Sequence, residues 1–394
     1  MKRGDMLSRS LEIPEGSFFL FGPRGVGKST WLAGVLPDAV RFDLLDSRLY
    51  LELTRDPYRL EALIGRRPQG SWVIVDEIQK VPALLDEVHR LMESQRWRFA
   101  LCGSSARKLR RGGVNLLGGR ALTRHLEPFT RAELGARYDI ESALAWGCMP
   151  SVCLDPEHAA DRLSAYVETY LKEEVREEGL VRRIPAFVRF LSVAGQMNGQ
   201  SVNGQNIARD AGVPRSSVDG YFAILQDTLL GHFLPAYTPG LKVREATHPK
   251  FYWFDTGVAR AAAGLLFDPL DSSWKGLGLE TLVYHELRVF NEVRRRGRAI
   301  AYYRTAAGTE IDFVVETRKR SASEPAHVVC IEVKLSAKWD RKWERAMRDL
   351  AADPRICVDR MFGVYLGERP YHFDGVDVLP AVQFLDKLHG GDVF

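Results

Sequence analysis

The sequence predicts a multidomain α/β protein: a parallel-sheet domain built on a phosphate-binding loop, a helical connector, a winged helix-turn-helix and a small second α/β domain. Three observations carry this reading. A glycine-rich turn joins an apolar strand to a helix in "SFFLFGPRGVGKSTWL". Two helical patterns flank a Gly/Pro turn in "QNIARDAGVPRSSVDGYFAIL". The later strand "VVCIEVKLS" sets Glu332 and Lys334 on one face of an otherwise apolar run, with Ile331, Val333 and Leu335 on the other. At 394 residues the chain exceeds one typical core, and the expected divisions are 1–135, 136–185, 186–258 and 259–394.

Composition narrows the class. Hydrophobic residues make up 45% and charged residues 27%, the balance of a folded globular chain. With 55 basic and 51 acidic residues the net charge is only +4, so any nucleic-acid reading must come from local placement. Five cysteines (Cys102, Cys148, Cys153, Cys330 and Cys357) include no C-x-x-C pair, and neither disulfides nor zinc are expected. The start "MKRGDMLSRSLEIPEGS" lacks a signal-peptide core, and no apolar run approaches the roughly 20 residues that span a bilayer. The expectation is a cytoplasmic protein without a membrane partner.

The first element in order is the phosphate loop. Gly22, Gly27, Lys28 and Ser29 fill the fixed positions of G-x-x-x-x-G-K-[ST] between a strand and a helix start. The segment Gly22, Pro23, Arg24, Gly25, Val26, Gly27, Lys28, Ser29 and Thr30 is thus the expected cradle for ATP, with Lys28 on the β and γ phosphates and Ser29 on Mg²⁺. The apolar run "SWVIVDEIQKV" delivers Asp76 and Glu77 to the end of a parallel strand. Asp76 is expected to hold Mg²⁺ through water, and Glu77 to orient or deprotonate the attacking water. Taken alone, the pair would equally suit a solvated cap on the next helix.

In "RFALCGSSARKL" Ser104 is placed to sense the γ phosphate, while Ser105 suits a helix cap. In "NLLGGRALTRHLEPF" Arg120 follows two glycines and reads either as an arginine finger on a neighbouring subunit's nucleotide or as a surface charge. The order "GPRGVGKST", "VIVDEIQKV", "LCGSSARKL", "LLGGRA", "LEPFTRAEL" and "GCMP" resembles the AAA+ branch of P-loop ATPases, within a bacterial and archaeal group. The resemblance covers about the first 150 residues. It implies nucleotide-dependent assembly or movement as a homo-oligomer, with a ring as one form.

Residues 157–178 hold strong helix formers, with Leu163, Tyr166, Val167, Tyr170 and Leu171 at helical spacing, and Gly179 and Pro185 are read as the end of that helix. The helix-turn-helix follows, with Arg215, Ser216 and Ser217 at the start of the second helix as candidate DNA contacts. "HFLPAYTPGLKVREATHPKFYWFD" reads as two strands around a loop, with Lys242, Arg244 and Lys250 as a basic wing. Modules of this kind also mediate protein contacts.

The last region reads as a helix ("KGLGLETLVYHELRVFNEVRRR"), the strands "AIAYYR", "EIDFVVE" and "VVCIEVKLS", a helix ("DRKWERAMRDLAA") and the strand "MFGVYL". Glu280, Asp312, Glu332 and Lys334 are expected to converge on one edge. This set resembles the PD-(D/E)XK nuclease superfamily over residues 274–366, with "EVK" as the E-x-K element and Ile311 where the pattern writes proline. The resemblance implies that Asp312, Glu332 and Glu280 hold Mg²⁺ or Mn²⁺ and that Lys334 positions a water. A buried Glu332–Lys334 pair on a scaffold that binds DNA without cutting fits the same residues. Basic runs in "EVRRRGRA", "ETRKR" and "DRKWERAMR" read as phosphate contacts or as solvated faces, and Trp339 and Trp343 as packing residues four apart on a helix. The functional expectation is an ATPase whose nucleotide cycle controls a DNA-binding winged helix and a nuclease-like domain. Its alternatives are a DNA-structure-binding motor with an inactive clamp and a nucleotide-gated switch acting on proteins.

Overall fold

The computed structural model describes residues 7–104, 109, 117–171, 184–238, 248–305, 308–321 and 324–394. Strands β1 (Phe18–Phe21), β2 (Val40–Asp43), β3 (Trp72–Asp76), β4 (Arg98–Gly103) and β5 (Leu122–His125) form a parallel sheet in the order β2-β3-β4-β1-β5. Parallel sheets are covered on both faces, so their central strands are apolar throughout. In β1, Phe18 and Leu20 join one core with Ile74, Ala100 and Cys102, while Phe19 and Phe21 join another with Val73, Val75, Phe99 and Leu101. Helix α1 (Lys28–Val35) covers the first face through Trp31 and Leu32. Helices α2 (Ser47–Arg55) and α3 (Arg59–Ile64) lead from β2 to β3, and α4 (Leu84–Ser94) covers the second face through Leu84, Leu85, Val88 and Leu91.

Four short helices follow: α5 (Arg131–Leu134), α6 (Ile140–Trp146), α7 (Pro150–Cys153) and α8 (Ala159–Ala165), the last continued by a π-helical turn over Tyr166–Leu171. The α-helix expected from 157 therefore starts at Ala159, and it widens at Tyr166. Leu163 and Tyr166 are buried as expected and Val167 packs beside them. The side chains of Tyr170 and Leu171, and Gly179, lie outside the described residues. Pro185 does not end this helix. It stands in the first turn of α9 (Ile184–Gln196), where its missing N–H costs nothing.

With α9, helices α10 (Gly204–Ala211) and α11 (Arg215–Asp227) enclose Phe187, Phe190, Ile207, Val218 and Phe222. Asn203 caps α10 with its side chain, Gly212 ends it at φ 60 and Pro214 precedes α11. Strands β6 (Gln200–Ser201), β7 (Gly231–Leu234) and β8 (Lys250–Trp253) form an antiparallel sheet with β8 central, and α12 (Thr256–Ala262) follows.

The C-terminal region opens with α13 (Ser272–Val293). It continues as β9 (Ala299–Arg304), β10 (Glu310–Arg318), β11 (Ala326–Lys334), α14 (Arg345–Ala351), β12 (Ile356–Tyr365), β13 (Tyr371–Phe373), β14 (Val376–Pro380) and α15 (Ala381–Gly390). The six strands run β13-β14-β12-β11-β10-β9; β9 to β11 are antiparallel neighbours, whereas β11, β12 and β14 are parallel. Val329, Ile331 and Val333 face α13 and α15, and Val328 and Cys330 face α14. The alternation seen in "VVCIEVKLS" is thus the real division of the sheet's faces. Beyond the expected elements lie β13, β14 and α15. Trp339 precedes a 3-10 turn at Arg341–Glu344 that contains Trp343, so the two do not share an α-helix; their rings meet edge to face at 5.1 Å. No described helix is long and apolar enough to cross a membrane.

Candidate functional site

The phosphate loop leaves β1 at Gly22 and enters α1 at Lys28. A Cβ on Gly22 would stand 2.1 Å from the Leu126 carbonyl oxygen, so glycine is what lets the loop pass the end of β5. Gly27, at φ 89, forms the N-cap and brings the open amides of α1 to the loop, which favours anions. The buried Lys28 ammonium donates to the carbonyls of Gly22 (2.7 Å) and Pro23 (3.0 Å), inside the curve of the loop. Arg24, Gly25, Ser29 and Thr30 are exposed around it, and Val26 is buried beneath.

The Ser29 hydroxyl donates to Asp76 Oδ2, and Asp76 Oδ1 accepts the Glu77 amide at 3.0 Å. A hydroxyl beside a carboxylate is the donor chemistry that Mg²⁺ takes, and the ion would supply charge neutralisation of the phosphates. Glu77 holds φ 56, an unusual backbone for a non-glycine residue and one found at functional positions. Gln79, absent from the sequence reading, ties the neighbouring groups together: its Nε2 donates to Glu77 Oε2 (2.5 Å) and to Ser104 Oγ (3.3 Å). A carboxylate can only accept, so the amide NH₂ faces Glu77. Gln79 Oε1 is left buried without a partner against Gly103, where a Cβ would stand 2.4 Å away. The signal was a polar residue two positions after Glu77, where the strand has ended yet the chain is still buried. Gln79→Ala is expected to lower kcat for ATP by roughly 10- to 100-fold with nucleotide affinity little changed, because the carboxylate loses its fixed direction. Paired kcat and Kd measurements check this, and an unaltered kcat would remove Gln79 from the site.

Beside the loop lies a cavity of about 520 Å³ lined by Leu7, Gly25, Thr30, Trp31, Phe129, Arg137, Leu154 and Arg162, among others. Its apolar walls and three arginines, Arg9, Arg137 and Arg162, suit a flat heterocycle on a sugar phosphate. Ser105 lies outside the described residues. Arg120 is exposed and pairs with Glu93 of its own chain at 2.9 Å.

In the middle region Arg215 and Ser216 are exposed at the start of α11 and Ser217 is half-buried, with Arg215 pairing with Asp219 at 2.7 Å. Lys242 and Arg244 lie outside the described residues. Lys250 corrects the expectation of a basic wing. It is 5% exposed and pairs with Glu280 (3.7 Å) and Glu310, so it faces the C-terminal carboxylates instead of solvent.

Those carboxylates do come together. Lys334 Nζ donates to Asp312 Oδ2 at 3.3 Å and pairs with Glu332, and Asp312 Oδ2 also accepts the Val333 amide at 2.8 Å. Glu280 enters from α13 and accepts from the Tyr252 hydroxyl at 3.1 Å. Burial and the nearby Asp312 carboxylate push Glu280 up to about 7 despite Lys250 and Lys334, and the same two causes raise Glu332 well above the usual carboxylate range. Burial alone would lower Lys334, but Asp312 and Glu332 outweigh it and hold the ammonium charged. One oxygen of Glu332, Oε2, is buried with no partner. A carboxylate set with an orphaned oxygen has the donor chemistry of a hard divalent cation, but Glu280, Asp312 and Glu332 do not bring three ligand atoms within 4.8 Å of one another; among the described residues His327, Cys357 and Asp359 are the group that does. Lys250, Glu310 and Tyr252 were missed. The available signals were a lysine heading the fully apolar "KFYWF" and a glutamate two positions before Asp312 on the same strand.

The nucleotide domain and the C-terminal region meet along α13. Arg288 donates to Glu127 at 2.9 Å, His125 pairs with Glu292 at 2.6 Å, and the buried Glu286 accepts the Arg131 amide at 2.7 Å. Glu127 follows β5, and its backbone carbonyl accepts from Arg9, which also donates to the Val26 carbonyl of the phosphate loop at 3.1 Å.

Three family models match in succession: residues 15–135 an AAA domain, residues 137–268 a domain of unknown function (DUF8612), and residues 275–384 a second domain of unknown function (DUF4143). No curated protein matches the chain. Among solved structures, the Orc1 protein of Aeropyrum pernix in complex with DNA is 13% identical, with 64% of this chain and 87% of that one covered at a TM-score of 0.29. A signal transduction ATPase with numerous domains and a tetratricopeptide repeat sensor from Pyrococcus horikoshii is 10% identical over 72% of this chain and 46% of that one, TM-score 0.18, so this chain spans under half its length. Protein VC1899 of Vibrio cholerae is 10% identical, over 95% and 96%, at 0.22. The N-terminal segment is a P-loop ATPase domain of AAA+ type, as its domain match and its parallel five-stranded sheet agree, and the nucleotide-binding class comes with it.

Proposed function

We propose that this protein hydrolyses ATP with Mg²⁺ and uses the nucleotide cycle to control a DNA-binding, nuclease-like C-terminal half, acting on DNA in the cytoplasm as a homo-oligomer. Lys28 and the α1 amides bind the phosphates, Ser29 and Asp76 hold Mg²⁺, Glu77 activates water and Ser104 senses the γ phosphate. The base occupies the cavity at Trp31 and Phe129. In a ring, Arg120 would exchange Glu93 for a neighbour's nucleotide. The region over α9 to β8 acts as a winged helix that sets Arg215, Ser216 and Ser217 on DNA, joined by Lys242 and Arg244. Glu280, Asp312, Glu332 and Lys334 form a metal site of PD-(D/E)XK type.

The observation that supports coupling is α13, which carries Glu280 into the acidic site and Arg288 onto Glu127 beside the phosphate loop. The test is a panel of linear, forked and branched DNA, with and without ATP, in Mg²⁺ or Mn²⁺, comparing wild type with Glu332→Ala. The expected result is binding that weakens steeply with salt, together with metal-dependent cleavage lost in Glu332→Ala. Binding without any cleavage would select a DNA clamp. Absence of binding at low salt would select a switch acting on proteins and reject the DNA reading.

A further inference from the structure

At the end of the C-terminal sheet away from the acidic residues, three side chains with metal-binding atoms stand together. His327 Nδ1 lies 2.6 Å from Asp359 Oδ1, and Cys357 Sγ lies 3.7 Å from the same oxygen. The three donor atoms all fall within 4.8 Å of one another, and among the described residues no other group of histidine, cysteine and acidic side chains does so. Roughly 16 Å of β11 separates His327 from Glu332, so the group is distinct from the acidic site.

Spacing along the chain hides it, because His327 and Asp359 are 32 residues apart. The absence of a C-x-x-C pair does not bear on ligands that come from two strands. β11 and β12 are parallel with His327 opposite Cys357, so these two share a face, and Asp359 follows Cys357 on that face. Two irregularities then close the group. The pairing of β11 with β12 skips Asp359, and the pairing of β10 with β11 skips Thr317. Both extra residues stand beside His327, one on each flanking strand, and they meet: the Thr317 hydroxyl donates to Asp359 Oδ2 at 3.0 Å. A bulge re-aims a side chain at the cost of ladder hydrogen bonds, and here two of them occur at one level. With Oδ2 held by Thr317, Oδ1 is the oxygen that meets both the imidazole and the thiol.

The separations suit a tetrahedral ion. Zinc at its usual distances sets sulfur and oxygen ligands roughly 3.6 Å apart and nitrogen and oxygen ligands roughly 3.4 Å apart. The first is met as it stands, and the second needs the half-exposed imidazole and the exposed carboxylate to part by less than about 1 Å. Thiolate and imidazole favour zinc or cobalt over Mg²⁺. Metal on Nδ1 leaves the ring proton on Nε2, so Arg318, 2.8 Å from Nε2, turns away; it is exposed and already pairs with Glu324 at 3.1 Å.

We propose that His327, Cys357 and Asp359 bind a divalent transition metal of the zinc class, with Thr317 positioning the carboxylate and the fourth place left to water or an incoming ligand. Cys357 binds as the thiolate and gives its proton to solvent. The site goes beyond the nucleotide, DNA and acidic-site readings and depends on none of them.

The test is Co²⁺ titration of the full chain with its thiols reduced, read by ultraviolet and visible absorption, for wild type, Cys357→Ser, His327→Gln, Asp359→Asn and Thr317→Val. A thiolate on Co²⁺ gives a charge-transfer band that carboxylates and hydroxyls do not, so ions at the phosphate loop or the acidic site stay silent. The expected result is a band that saturates at one ion per chain, is removed by Zn²⁺ and is absent in Cys357→Ser. Loss of a supporting residue costs about 10- to 100-fold in metal affinity. Thr317→Val should fall in that range and Thr317→Ser, which keeps the hydroxyl, should restore it, whereas His327→Gln and Asp359→Asn should lose at least about 100-fold. No band in wild type overturns the site, and this outcome decides even where a variant fails to fold. A band kept in Cys357→Ser also overturns it, since the thiolate would then be another cysteine. Unaltered affinity in His327→Gln or Asp359→Asn removes that residue and with it the three-ligand site.

Discussion

Lys28→Ala is expected to abolish ATP turnover, by roughly 10³-fold or more, and to weaken nucleotide binding as well. The ammonium is held inside the curve of the loop by the Gly22 and Pro23 carbonyls, and phosphoryl transfer depends on such fixed charge. Glu77→Gln should separate the two effects. Hydrolysis falls by about 10²- to 10⁴-fold, the range for loss of a general base, while binding persists because no phosphate contact has been removed. Phosphate release alongside nucleotide affinity measures both. Retained hydrolysis in Lys28→Ala would overturn the loop assignment, and weakened binding in Glu77→Gln would move that carboxylate from the water to the nucleotide.

These outcomes depend on features that were plain in the sequence, because a phosphate loop is local. Its glycines, lysine and serine are consecutive, and the strand before and the helix after it are set by the same short stretch. Asp76 and Glu77 were equally readable from an apolar run ending in acids. Gln79 was not, since its role comes from reaching Ser104 just past the end of β4, a contact created by sheet order and not by spacing. The acidic site shows the same limit more strongly. Glu280, Asp312, Glu332 and Lys334 could be named from alternation and element order, but Lys250 was assigned to solvent because loop-flanking lysines usually face it. Only the packing of β8 against α13 and the C-terminal sheet, through Tyr252 on Phe313 and Lys250 on Glu280 and Glu310, reverses that direction. β13, β14 and α15 went unread because their run, from Tyr371 to Gly390, alternates too briefly to mark a strand pair.

The second large effect concerns the junction that joins the halves. Burial alone would push the Glu127 carboxyl up, but Arg288 and the nearby His232, His285 and His125 together outweigh it and hold the group at about 2. A carboxyl lowered in the folded state adds stability that is present above its unfolded value, near 4, and lost as pH falls toward 2. Arg288→Met removes the main partner and leaves a buried charge, which costs about 3–5 kcal/mol at neutral pH. The wild type alone loses the advantage of its low carboxyl as the pH falls from about 4 toward 2, so the gap from the variant narrows there. Urea denaturation at pH 7 and pH 3 measures the gap. A gap that does not narrow between these values would mean that Arg288 does not hold the Glu127 carboxyl low, and no loss at pH 7 would mean that the α13 contact does not hold the nucleotide domain to the acidic site.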